Sequence, residues 1–170
     1  MGRRLRLIAG VVFFWAGAAT AQEMPPGRAI SFHNTLSPEE QHFIRTASHF
    51  REERRDWRNA INKSEVYWAD VDLNDDGKPE RLLLMQSASW CGSGGCLMRI
   101  LTLRDGRWRL LANASGEAGY VRVLPDTDGG WHRIGYGRWG DLRWNGCEYV
   151  SDEDTQTAYR EVCRPIRSND

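Results

Sequence analysis

The stretch of this 170-residue chain with the most chemistry in it runs from Asp70 to Glu80, Asp-Val-Asp-Leu-Asn-Asp-Asp-Gly-Lys-Pro-Glu. It places five carboxylates and one amide within eleven residues. Alternate residues carry the oxygens: Asp72, Asn74 and Asp76 as side chains, Lys78 through its backbone carbonyl, and Glu80 after that. A hard cation such as Ca²⁺ takes six to eight oxygens in one small shell, and alternate side chains of a tight loop converge on such a shell. Gly77 supplies the sharp turn, because glycine reaches positive φ without steric cost. Asp70 is near enough in sequence to add a further ligand. The competing reading is a bare acidic Asp-Gly turn, a common hairpin element. Mutual repulsion among five acids favours the metal. Asp126, Asp128 and Gly129 repeat the pattern only in part, which reads as a plain turn.

Counted from Asp72, the residues fit the first nine positions of an EF-hand loop, but position 12, ordinarily a bidentate Glu, is Leu83. The apolar run Leu82-Leu83-Leu84-Met85 follows, a strand rather than a helix. The loop resembles the Asp-x-Asn-x-Asp-Gly-x-x-Asp/Glu element of FG-GAP and VCBS type exported modules, matched here by Asp72, Asn74, Asp76, Gly77, Lys78 and Glu80. The resemblance covers the loop alone. It implies a calcium loop leading directly into a β-strand. Without the twelfth ligand, affinity falls in the roughly 10⁻⁴–10⁻³ M class of extracellular modules.

A second unusual stretch is Trp90-Cys91-Gly92-Ser93-Gly94-Gly95-Cys96. It is similar to a pattern in small exported bacterial proteins, where an acidic Asp-Gly loop comes shortly before it. That resemblance implies no activity. Four residues separate the cysteines, three of them glycine, whereas redox pairs usually have two between them at a helix N-terminus. A structural disulfide that presents a recognition loop fits better, with Trp90 and Ser93 as contact residues. Cys147 and Cys163 complete an even count of four. Three pairings are open, and sequence proximity favours Cys91–Cys96 with Cys147–Cys163. A further contact surface is Arg138-Trp139 between glycines. His42 and His49 lie two helical turns apart, about 10 Å, too far for one metal to bridge.

The ends set the compartment. Arg3, Arg4 and Arg6 precede an apolar run from Leu7 to Ala18 and a small-x-small site, Ala19-Thr20-Ala21. Residues 1–21 therefore read as a signal peptide, and the run is short for a membrane span. Cleavage leaves 149 residues with 20 basic and 23 acidic side chains. That balance gives no reason to expect nucleic acid, and no second apolar run suggests a membrane anchor. The expected place is the periplasm or the medium.

The elements that position these residues follow from periodicity. Residues 22–36 read as a mobile or extended lead-in, 37–165 as one domain, and 166–170 as a tail. Ser37-Pro38-Glu39-Glu40 starts a helix, with Ser37 as N-cap and Pro38 at the first position. Phe43, Ala47, Phe50, Trp57 and Ile61 then share one face, so the spacing predicts a single amphipathic helix over about 38–61. From Val66 onward, short β-prone runs alternate with turns at Asp105-Gly106, Asp126–Gly130 and Asn145-Gly146. A two-residue turn at Asp105-Gly106 sets Leu103 opposite Trp108 and Leu101 opposite Leu110. These four are expected to form one buried face, with Thr102, Arg104, Arg107 and Arg109 on the other. The expected fold is α+β: one N-terminal helix on an antiparallel meander of about six or seven strands. The expected function is a small exported module, structural or binding, without catalysis, possessing weak structural Ca²⁺ and an envelope protein as partner, of inhibitor or immunity type. The alternative is a metal-dependent periplasmic hydrolase that uses the acidic loop.

Overall fold

The structure, a computed structural model, describes residues 26–137 and 140–151. The signal-peptide segment, the tail, Arg138, Trp139 and Cys163 lie outside the described residues.

The expected α+β arrangement is not what the chain adopts. The described residues form ten strands in two antiparallel sheets and two short helices. One sheet is built from β2 (Val66–Val71), β3 (Glu80–Met85), β4 (Cys91–Gly92), β5 (Gly95–Arg104) and β6 (Arg107–Gly116). Its path is β2-β3-β5-β6, and β4 pairs with the start of β5. The other sheet runs β1 (Arg28–Ala29), β7 (Val121–Asp128), β8 (Trp131–Tyr136), β9 (Asp141–Trp144) and β10 (Tyr149–Ser151). The first sheet is therefore a middle layer. Leu82, Leu84, Met98 and Ile100 pack with Val121, Val123, Ile134 and Leu142 of the second sheet. Leu83, Met85 and Leu101 pack on the other side beneath the helices. A strand covered on both faces needs a continuous apolar run, and Leu82–Met85 is that run. A single meander carries only one such cover, which is why the one-sheet expectation fails.

The single helix over 38–61 is also corrected. The chain forms α1 (Pro38–Thr46), one 3-10 turn (Ser48–Phe50) and α2 (Arg54–Asn62). The helix start is as expected. Ser37 Oγ accepts from Glu40 N, and Ser37 N donates to Glu40 Oε2, a reciprocal cap. At Ala47 the backbone turns extended, φ −61° and ψ 137°. Arg99 reaches this break from β5. Its guanidinium donates to the His49 carbonyl and, from Nη2, to both Glu53 carboxylate oxygens at 2.8 and 2.7 Å. Doubling back lets both halves of the apolar stripe cover one patch. Phe50 meets both Phe43 and Trp57 edge-on, at 6.0 and 4.8 Å. The stripe residues thus face the sheet as expected, while the helix they were expected to share is interrupted. His49 leaves the helical flank and bonds the Trp108 carbonyl.

The 22–36 stretch is extended from Arg28. β1 pairs with β7, Ile30 is buried, and His33 bridges to Trp68 of β2. The Asp105-Gly106 hairpin has the expected register, Leu101 opposite Leu110 and Leu103 opposite Trp108. Both turn residues have positive φ, as a primed turn matching strand twist requires. Its buried face is corrected in part. Leu101 is buried, but Leu103 is 48% and Leu110 38% exposed, because the hairpin projects past the helices. Thr102 is buried instead, on the opposite face. β7 runs through Pro125 to Asp128, with its register interrupted between Val123 and Thr127. At Asn145-Gly146 the strands resume at Trp144 opposite Tyr149, so the connection is longer than two residues. Asn145 Oδ1 accepts from Cys147 N and Glu148 N there.

Candidate functional site

The acidic loop joins β2 to β3 at one end of the middle sheet. Three of the expected ligand side chains, Asp72, Asn74 and Asp76, are folded back over their own loop. Asp72 Oδ2 accepts from Gly77 N at 2.8 Å, and Oδ1 from Asn74 N at 3.3 Å. Asn74 Oδ1 accepts from Asp76 N at 3.2 Å, and Asp76 Oδ1 from Lys78 N at 2.8 Å. Gly77 sits at φ +79°, the conformation expected for it. Desolvation, the largest single effect on the Asp72 carboxyl, works against ionisation. The N–H groups of Gly77, Asn74, Asp76 and Asp75 outweigh it and hold the carboxyl below the usual range.

Glu80 is placed differently from the other candidates. Its carboxyl is buried between the sheets, where Oε2 accepts from Leu73 N at 3.1 Å and Oε1 from the Thr102 hydroxyl at 2.9 Å. Burial pushes this carboxyl up. The two hydrogen bonds act against that, and the Asp76 and Asp72 charges add to it. Glu80 braces the loop from inside through Leu73, the neighbour of Asp72. Nearby, the buried Tyr149 hydroxyl donates to the His132 carbonyl at 2.7 Å. Burial first, then the charges of Glu80 and Asp128, push that phenol far above its ordinary range.

Asp70 lies on the helix-side face of β2, directly opposite Arg81 of β3. Its Oδ1 accepts from Arg81 Nε and its Oδ2 from the Trp68 indole, both at 3.2 Å. Both oxygens are thus engaged away from the loop. Asp75 turns to His132 of β8, with Oδ2 3.1 Å from Nε2. His132 N donates to the Leu73 carbonyl at 2.7 Å, so β8 clasps the loop. Among the described residues no three His, Cys, Asp or Glu side chains gather as a metal shell. What the loop offers a cation is the Asp72 and Asp76 carboxylates, the Asn74 amide oxygen and backbone carbonyls. All are oxygens, which suits a hard ion.

The loop also forms one wall of a cleft of about 540 Å³, whose opposite wall is the end of the β5–β6 hairpin. Arg81, Leu103, Arg104 and Trp108 line it beside Asp70 and Lys78. Neither Arg81 nor Trp108 stands out in the sequence as a site residue. The period-2 placement of Asp70, Arg81 and Trp108 on one face is the signal that finds them.

The stapled hairpin stands at the far end of the same sheet. Cys91 and Cys96 are disulfide-bonded and directly opposite, with Cα atoms 3.9 Å apart. Gly92 pairs with Gly95, which leaves Ser93-Gly94 as an exposed turn. Trp90 is half-buried against the helix-side core. The six strand steps of β5 from Cys96 to Thr102, which bonds Glu80, separate this hairpin from the acidic loop by about 20 Å. Cys147 is not a free thiol, and its expected partner Cys163 lies outside the described residues. No helix among the described residues is long and apolar enough to cross a membrane. No family model matches the chain, and no curated protein or solved structure does.

Proposed function

We propose that this chain is a small exported binding module without catalysis, whose Asp72–Lys78 loop takes Ca²⁺ weakly and structurally. One observation supports the reading above the others: Asp72, Asn74 and Asp76 are each turned over the loop centre by hydrogen bonds from the loop's own amides. The loop is pre-organised, which lowers the ordering cost of filling it. The ligands are Asp72, Asn74, Asp76 and the Lys78 carbonyl, with Glu80 as the internal brace. Two carboxylates and no bidentate twelfth residue keep the affinity in the roughly 10⁻⁴–10⁻³ M class. Export is supported by the Cys91–Cys96 disulfide, since such bonds persist in oxidising compartments. The partner surface is the Ser93-Gly94 turn held by that disulfide. In the inhibitor or immunity version, the stapled turn plugs the cleft of an envelope enzyme.

Calorimetry with CaCl₂ on chelator-treated protein tests the loop. Wild type is expected to bind one ion, and Asp76→Ala is expected to give only the heat of dilution. Equal heats from the two proteins would refute the calcium reading. Hydrolysis of an envelope polymer by the purified chain would refute the absence of catalysis.

A further inference from the structure

We propose that the cleft beside the acidic loop is a binding site for an oxyanion, a carboxylate or phosphate group, carried on an apolar stem, with Arg81 as its anchor.

Arg81 is held in an unusual way. Its guanidinium carbon lies 4.2 Å from the ring centroids of both Trp68 and Trp108, and 4.6 Å from that of Phe43. The three rings brace one another edge-on, Phe43 lying 5.7 Å from Trp68 and 5.1 Å from Trp108. Aromatic faces attract a cation but accept no conventional N–H bond within the guanidinium plane. One in-plane position is taken, Nε to Asp70 Oδ1. Among the described residues no acceptor bonds Nη1 or Nη2, and the side chain keeps 20% of its surface open where it lines the cleft. An arginine whose rotamers are already fixed loses little entropy on binding, and its free N–H pair matches the two oxygens of a carboxylate or phosphate.

The neighbours fit the rest of the ligand. Leu103, 48% exposed, and Trp108 give the cleft an apolar wall on the same face of the sheet. Lys78 adds positive charge at the rim, while the Arg104 guanidinium lies 5.5 Å from the Trp131 ring, toward the second sheet. Of the acids lining the cleft, Asp70 is already paired with Arg81, and Glu80 is buried on the opposite face. Asp105, at the hairpin turn, and Asp76, whose carboxylate keeps its charge while accepting from neutral amides, are the acids that oppose an anion.

Asp76 and Lys78 border both the cleft and the proposed calcium loop, so the test runs in chelator, where no cation can bridge the anion to the loop. Tryptophan fluorescence and the Arg81 Nε–H resonance are followed while hexanoate, hexyl phosphate or hexanol is added at fixed ionic strength. Hexanoate, hexyl phosphate or both are expected to saturate and to move the Arg81 signal, and which of them does so identifies the carboxylate or the phosphate source. Hexanol is expected to bind at least about tenfold more weakly, the size of one charge-assisted hydrogen bond. Arg81→Lys keeps the charge but not the fork, and is expected to weaken the anion about tenfold. Leu103→Ser, at an exposed position, tests the stem without threatening the fold, and is expected to weaken binding about threefold. Equal binding of hexanol and the anions, no saturation by either anion, or anion binding unchanged in both variants would overturn the proposal.

Discussion

The Arg99–Glu53 pair is the contact whose removal the structure makes most informative. Arg99 is 5% exposed on the helix-side face of β5. Nη2 bridges both Glu53 oxygens, Nη1 reaches the His49 carbonyl, and the Phe50 and Trp57 rings lie 5.2 and 5.6 Å away. Nε is buried without a partner. Glu53 sits at the N-cap of α2 but makes no cap bond with its side chain, so its replacement costs nothing there. Glu53→Ala would leave a buried guanidinium with one carbonyl. An unpaired buried charge costs about 3–5 kcal/mol. The Glu53 side chain is about a quarter exposed, so water can enter and lower the cost to about 2–3 kcal/mol. Arg99→Met removes the charge itself, fills much of the same volume and frees Glu53 to turn to water, at a cost of about 1 kcal/mol for the lost His49 bond. The double variant is then expected to be more stable than Glu53→Ala alone, with a coupling of about 1–2 kcal/mol. Urea unfolding at pH 7, with disulfides intact and two probes to check for one transition, measures all three. If Arg99→Met costs more than Glu53→Ala, or if the two costs simply add, the buried-charge reasoning is wrong.

Other consequences follow from single groups. Ser37→Ala removes the reciprocal cap of α1 and is expected to cost about 1 kcal/mol, measured in the same unfolding assay. Glu80 has a raised carboxyl in the folded state, so the folded protein binds its proton more tightly than the unfolded chain does. Stability from this group is greatest below the ordinary glutamate value of 4.5 and falls as pH rises through the folded value. Glu80→Gln keeps an acceptor for Leu73 N, so thermal scans from pH 4 to 8 are expected to show a flatter profile and a higher Tm at pH 7; an unchanged profile would contradict the burial argument. Cys91→Ser with Cys96→Ser is expected to cost up to about 2 kcal/mol, small because the closed loop is short, and to raise proteolysis at Ser93-Gly94.

Several parts of this arrangement are legible in the residues. The cap at Ser37 and Glu40, the primed turn at Asp105-Gly106 and the Cys91–Cys96 pairing are each fixed by neighbours in sequence, so local chemistry suffices to find them. The folded-back set Asp72, Asn74 and Asp76 is similarly local. The second sheet is not found, because what demands it is the buried far face of Leu82 and Leu84, and an apolar run does not say what covers it. Arg99 carries no local signal, because its partners, His49 and Glu53, arrive from some fifty residues earlier. The parity at Leu103 and Leu110 is read correctly, but burial there depends on how far the helices reach. Glu80 is the clearest departure at the site: its spacing fits a ligand, and its strand position turns it inward to Thr102.

The calcium loop is tested most directly by titrating ¹⁵N-labelled protein with CaCl₂ and observing its backbone amides. Saturable shifts confined to residues 72–78, led by the Gly77 and Lys78 amides that bond Asp72 and Asp76, with a dissociation constant of about 0.1–1 mM, are the expected result. Shifts spread evenly over surface acids, or none at the Gly77 amide up to about 10 mM, tenfold above the weak end of that range, would contradict it.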